Sequence, residues 1–164
     1  MSGAVPKLLA EGTVEIRRSR HDVFAYVSNM ENFPAWFPGV VSIRALDTLD
    51  HGQVGKRYRE TVHMPFGRTG TIDLEVKEAQ AEAHLRTEGE AFLLPGMSVS
   101  FASLSADTTL VDWRMVSRNQ RWWFRWLVLP LLRRVMRARA RVGLRQLREH
   151  LEREPPSGDS HGMG

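Results

Sequence analysis

No cysteine occurs in the 164 residues. That excludes disulfides, thiolate metal sites and a cysteine nucleophile. It also suits a reducing cytoplasm, where the chain is expected to reside. Lysine is nearly absent, with 3 against 20 arginines. The longest near-apolar run, Trp122 to Leu132, is broken by Arg125 and Pro130 and is too short to span a bilayer. The N-terminal residues have no apolar core of the signal-peptide kind. Six histidines are scattered without ligand spacing on any one element, so no metal is expected. There is no Gly-rich phosphate loop and no Gly-x-Ser-x-Gly elbow, and no cofactor is expected.

What is present divides unevenly. Residues 1–118 carry 13 basic and 15 acidic side chains, whereas residues 119–164 carry 10 basic, all arginine, and 4 acidic. The basic stretch coincides with a long helical pattern over 119–153. Apolar residues recur three or four apart at Trp122, Trp126, Leu129, Met136, Ala140, Leu144, Leu147 and Leu151, giving one continuous face. A second apolar line runs through Phe124, Val128, Leu131, Val135 and Val142. Pro130 interrupts the hydrogen-bond ladder, so the first third of the helix is expected to be kinked or separate.

Ahead of the helix the pattern is mostly of strands. Residues 1–7 read as a loose terminus. From Leu8, Val14 and Ile16 alternate with Thr13, Glu15 and Arg17, as in a half-buried strand. Ser19 is a good N-cap, with Asp22 three residues on, for a short helix that buries Val23, Phe24 and Val27. A second short helix or turn covers residues 30–37 and closes at Pro38-Gly39. Six strand patterns follow, at 40–46, 56–64, 69–79, 83–92, 97–104 and 108–117. The short turns between them imply antiparallel neighbours. Residues 154–164 have the composition of a disordered tail. The expectation is a single α+β domain over residues 8–153: a curved antiparallel sheet of six to seven strands, with two short helices after the first strand and one long C-terminal helix covering the concave face.

The segment from Val14 to Val40, with Val23-Phe24-Ala25-Tyr26-Val27 and then Glu31-Asn32-Phe33-Pro34-Ala35-Trp36-Phe37-Pro38-Gly39-Val40, resembles the opening of the START-like, polyketide cyclase/dehydrase (SRPBCC) superfamily. The closing strand Thr108-Thr109-Leu110-Val111-Asp112-Trp113-Arg114-Met115, followed by the helical Leu131-Leu132-Arg133-Arg134, is similar as well. The resemblance covers residues 8–152 and implies a helix-grip fold with an apolar cavity between sheet and helix. It implies binding of a hydrophobic small molecule such as a lipid, quinone or polyketide. Some members are cyclase- or dehydratase-type enzymes.

Strand parity and the helix stripe nominate the wall of such a cavity: Trp36, Tyr58, Val62, Ile72, Leu74, Val99, Phe101, Val111, Trp113 and Met115, with Leu129, Met136 and Ala140 from the long helix. The same side chains would equally serve as solid core. Two polar residues share that parity. Glu60 lies between Tyr58 and Val62, and Arg133 lies between Leu129 and Met136. Neither should be buried alone, so the two are expected to orient a polar ligand group, as a pair or singly, or else to escape to solvent. His63 and His84 are available acid–base types but do not fall into one site with Tyr58 and Glu60. No catalytic residue is assigned. The surplus line Trp123, Phe124, Leu127, Val128 and Leu131 fits three uses: a cavity mouth, a homodimer face, or a peripheral membrane contact, the last through Trp122, Trp123, Phe124 and Trp126 with the flanking arginines. No groove-reading motif accompanies the arginines, so nucleic acid is not an expected partner.

Overall fold

The computed structural model describes residues 5–154; most of the expected tail lies outside them. Strand β1 (Lys7–Ile16) leads to helix α1 (Arg20–Ser28). Ser19 caps α1, its Oγ accepting the Asp22 N–H at 3.2 Å. A short 3-10 turn (Met30–Asn32) and α2 (Phe33–Trp36) follow, with Pro34 in the first turn, where its missing N–H removes no intrahelical bond. Gly39, at φ +89°, turns the chain into the sheet. Then come β2 (Val40–Ala45), β3 (Arg57–His63), β4 (Thr69–Gln80), β5 (His84–Glu90), β6 (Pro95–Ser105) and β7 (Thr108–Ser117). A π turn at Phe124–Val128 opens the terminal helix α3 (Leu129–Arg153).

The seven strands form one antiparallel sheet in the order β1-β7-β6-β5-β4-β3-β2. The connection through the short helices carries the chain from β1 at one edge to β2 at the other; β1 pairs with β7, and each later strand pairs with its chain neighbour. The curled sheet grips α3, which lies chiefly along β1 and α2. This is the sheet-and-helix architecture expected from the pattern, and the helix-grip fold that the resemblance implies. Each end of the helix is fastened to the rest. Arg18, buried near β1, donates to the carbonyls of Leu151, at 3.2 Å, and Glu154. At the other end Asn119 Nδ2 donates to the Phe92 carbonyl at 2.9 Å.

The main core joins Ile16, Val23, Val27, Trp36, Phe37, Tyr58, Val76, Leu85, Val99, Phe101, Val111 and Trp113 to Ala140, Leu144, Leu147 and Leu151 of α3. A second, smaller cluster of Leu9, Phe124 and Leu129 holds the start of the helix. Leu9 reaches it because β1 bulges between Leu8 and Ala10, which puts both Leu9 and Ala10 on the buried side.

The two apolar lines read from the helix pattern are corrected here. Trp122 and Trp126, placed by periodicity on the buried face, are 74% and 71% exposed, while Phe124, placed on the surplus line, is fully buried. The cause is the π turn. Leu129 N–H donates to the Phe124 carbonyl, five residues back rather than four. One extra residue in that turn rotates everything before it by about 100° relative to a regular helix. Helical geometry also starts at Trp122, three residues later than expected. Asn119 is buried and accepts the Arg121 N–H on its Oδ1 at 3.0 Å.

Candidate functional site

The residues nominated for the concave face fall into two groups. Trp36, Tyr58, Leu74, Val99, Phe101, Val111, Trp113, Leu129 and Ala140 are buried within the two core clusters. They fill the middle of the fold. Val62, Ile72, Met115, Arg133 and Met136 are only half-buried although they belong to the inward side. An inward side chain that still meets solvent must border a reachable space. The concave face is therefore filled at its centre and meets solvent toward one end.

Glu60 lies on this face. In strand register it stands opposite Ile43 of β2 and Ile72 of β4, with Tyr58 and Val62 two residues either side. It is 7% exposed. Among the described residues its carboxylate has no hydrogen-bond or ion-pair partner. Loss of water alone pushes its pKa up from 4.5 to about 7. A carboxyl group in these surroundings holds its proton near neutrality and can donate a hydrogen bond as well as accept one.

The nearby polar groups are already committed. Arg133 does not pair with Glu60; its Nε donates to the Leu8 carbonyl at 2.8 Å. The β1 bulge supplies that acceptor, and no pattern in the sequence signalled the bulge. Tyr58 OH is held 2.6 Å from His51 Nδ1, with the two rings stacked at a 5.8 Å centroid distance. Burial raises the Tyr58 phenol to about 12. His63 is exposed, and His84 contacts Ser100 Oγ at 3.2 Å and Glu78 at 3.5 Å on the outer side. The Trp113 indole N–H is buried without a partner and stands in the core against Phe37, at 5.3 Å between rings. Glu60 was legible from parity. Trp113 Nε1 was not, since a buried indole usually finds an acceptor.

The open end has its own residues. The ends of β3, β5 and β7 and the starts of β4, β6 and α3 all meet there. The β5–β6 loop places Phe92 against Trp123 at 5.6 Å and against Phe124 at 5.7 Å. Leu93, Leu132 and Met136 pack around the smaller cluster beneath. Two grooves lie elsewhere. One of ≈ 350 Å³ runs between β1 and α3 past Gly12, Leu144, Arg141, Arg145 and Arg148, and the other lies beside Ser19, Asp107 and Glu152. Neither includes Glu60. Among the described residues no group of acidic or histidine side chains is arranged to hold a metal ion. No helix among them is long and apolar enough to cross a membrane.

Comparison with known proteins agrees with this architecture. The family model for polyketide cyclase / dehydrase and lipid transport matches residues 8–152, and the chain belongs to that family. Among solved structures it is similar to the di-domain ARO/CYC BexL of the BE-7585A biosynthetic pathway: 17% identity, 87% of this chain, 46% of that one, TM-score 0.67. It is also similar to a START superfamily protein from Mycobacterium smegmatis: 20% identity, 88% and 94% of the chains, TM-score 0.65. A Thermus thermophilus protein matches at 15% identity over 87% and 95% of the chains, with TM-score 0.68. The chain spans about half the length of the di-domain proteins it matches. Comparison with curated proteins gives no match. At these identities the likeness is one of fold.

Proposed function

We propose that this chain binds a hydrophobic small molecule carrying one polar group, at the open end of the space between sheet and α3. The observation that carries the reading is Glu60: a buried, partnerless carboxyl among half-buried Val62, Ile72, Met115 and Met136. An unpaired buried carboxyl costs stability that a folded protein has little reason to accept unless a ligand supplies the missing partner. The family's description, which includes lipid transport, points the same way. The apolar side chains would enclose the ligand body, and Glu60 would hydrogen-bond a hydroxyl or carbonyl on it.

A second reading rests on the same residue. A carboxyl that titrates near 7 is suited to move a proton to or from a bound substrate, as cyclisation or dehydration of a polyketide requires. One experiment separates the two. Native mass spectrometry of the protein recovered from its own host should reveal a co-purifying hydrophobic adduct, and Val62→Trp should remove it by filling the space. If the adduct is only held, Glu60→Gln should weaken it and leave its mass unchanged. If it is transformed, Glu60→Gln should accumulate a different, unreacted mass. An empty wild-type protein that also fails to take up an apolar fluorescent probe would defeat both readings.

A further inference from the structure

All four aromatic side chains that are exposed among the described residues, Phe66, Phe92, Trp122 and Trp126, lie at one end of the molecule. They come from three separate connections: β3–β4, β5–β6 and β7–α3. The antiparallel order brings these connections to the same end, as the pairing of His63 with Thr69 and of Pro95 with Ser117 requires. Aliphatic Met64, Leu127 and Leu131 add to them, at 49%, 74% and 67% exposure. At the opposite end Leu49, Val54 and Leu104, the last near the end of β6, are exposed without any exposed aromatic.

Backbone and neighbours aim these side chains outward. Phe66 is 100% exposed, and its backbone is left-handed, at φ +64°. That conformation is uncommon for a bulky residue and holds the ring out at the tip of the Pro65–Gly67 turn. Phe92 rests on Trp123 and Phe124, so its loop has an aromatic footing. The π turn is what swings Trp122 and Trp126 outward while Phe124 stays buried.

The charge at this end is predominantly positive. The chain has no carboxylate from Arg118 to Arg148, and none in residues 64–68 or 91–94. Glu90, beside the β5–β6 loop, lies 3.8 Å from Arg118. Arg68, Arg121 and Arg125 are exposed among the aromatics, with the Arg125 guanidinium 5.9 Å from the Trp126 ring. Protein–protein interfaces favour the same residue types, but pack them into one continuous patch as dense as a protein interior. Tryptophan interleaved with arginine on separate protruding tips instead matches the headgroup boundary of a bilayer, where rings sit among glycerol groups and guanidinium groups pair with phosphates.

We propose that this end docks on an anionic lipid bilayer, with Phe66, Phe92, Trp122 and Trp126 entering the headgroup boundary and Arg121 and Arg125 pairing with lipid phosphates. The docked face is also the open end of the space beside Glu60, so a lipid-derived ligand would enter and leave without crossing water. Docking itself needs no ligand.

The test is co-sedimentation of the full chain with vesicles of phosphatidylcholine alone or with added phosphatidylglycerol, alongside quenching of tryptophan fluorescence by brominated phosphatidylcholine. The expected result is binding to the anionic vesicles, weaker at high salt, with quenching that Trp122→Ser/Trp126→Ser removes. Phe66→Ser, a change at a side chain that touches nothing, should weaken binding about tenfold, and Arg121→Gln/Arg125→Gln should erase the preference for anionic lipid. Leu104→Ser, at the other end, should bind as wild type. Failure of the wild type to bind anionic vesicles at low salt overturns the proposal. So does binding indifferent to Phe66→Ser and to the tryptophan pair. A dimer in solution that these variants dissociate, without vesicle binding, would assign the face to a second copy of the chain instead.

Discussion

A carboxyl group that gives up water without gaining a partner keeps its proton, and Glu60 does so at a position where two β-strands flank it with isoleucines. The sign of its effect on stability follows from the direction of the shift. The folded value, about 7, lies above the usual 4.5. Glu60 is therefore most compatible with the fold below about pH 4.5, where it is neutral in both states. It becomes a liability as pH rises through 7, where the folded state must ionise it. Glu60→Gln, neutral throughout, should match wild type near pH 4.5. It should become more stable by about 3 kcal/mol once the folded carboxyl is fully ionised. Thermal melts of the two proteins across this window check it, and parallel profiles would sink the assignment. Gly89 makes a second demand on the same face. A Cβ there would lie 2.9 Å from each of Ile72 Cγ2, Leu74 Cδ2 and Pro95 Cγ. Gly89→Ala should cost about 1–3 kcal/mol in denaturant unfolding, because the proline ring cannot retreat.

Helix α3 depends on a single turn of different pitch. Pro130 cannot donate to the carbonyl four residues back, and in a regular helix its ring would collide with that carbonyl. The π turn immediately before it relieves the collision and leaves Phe124 and Leu129 together in the smaller core cluster. Deleting exposed Leu127 would bring Phe124 and Leu129 to regular helical spacing, still on one face, but would restore the clash at Pro130. The deletion alone should destabilise by about 3 kcal/mol, and adding Pro130→Ala should recover most of that loss. A deletion variant that melts like wild type would show that the proline imposes nothing on this turn. The same turn marks where sequence periodicity stopped being informative. The seven strands, Ser19 as cap and the stripe from Leu129 to Leu151 follow from periods of two and 3.6, which local chemistry enforces. A single inserted residue inverts the exposure of Trp126 and Phe124 and leaves no mark in composition. The β1 bulge at Leu9 is a device of the same kind, and it lies next to the Leu8 carbonyl that Arg133 bonds. Parity thus located Glu60, while the exposure of Trp126 and the bulge beside Leu8 depended on irregularities that parity does not encode.

Taken together, the fold has a firm end and an open end. At the firm end, Arg17 and Arg18 tie the last turn of α3 to the end of β1, and Leu147 and Leu151 are buried in the main core. At the open end, the start of α3 is held by the small cluster of Leu9, Phe124 and Leu129 and by side-chain bonds from Asn119 and Arg133. Elements with fewer buried contacts open at lower free-energy cost. Entry of a ligand toward Glu60 should therefore displace residues 118–132 and the β5–β6 loop, while the C-terminal half of α3 stays in place. Hydrogen exchange should find the amides of 122–132 less protected than those of 140–151 in the free protein. Addition of an apolar ligand or anionic vesicles should slow exchange in the first segment alone. Because Ser117 Oγ and Asn119 Nδ2 donate to the Leu93 and Phe92 carbonyls, Asn119→Ala should raise exchange in residues 91–94 and 122–132 together. If only the mutated segment responded, the loop and the helix start would be separate units, and the open end would have two independent moving parts.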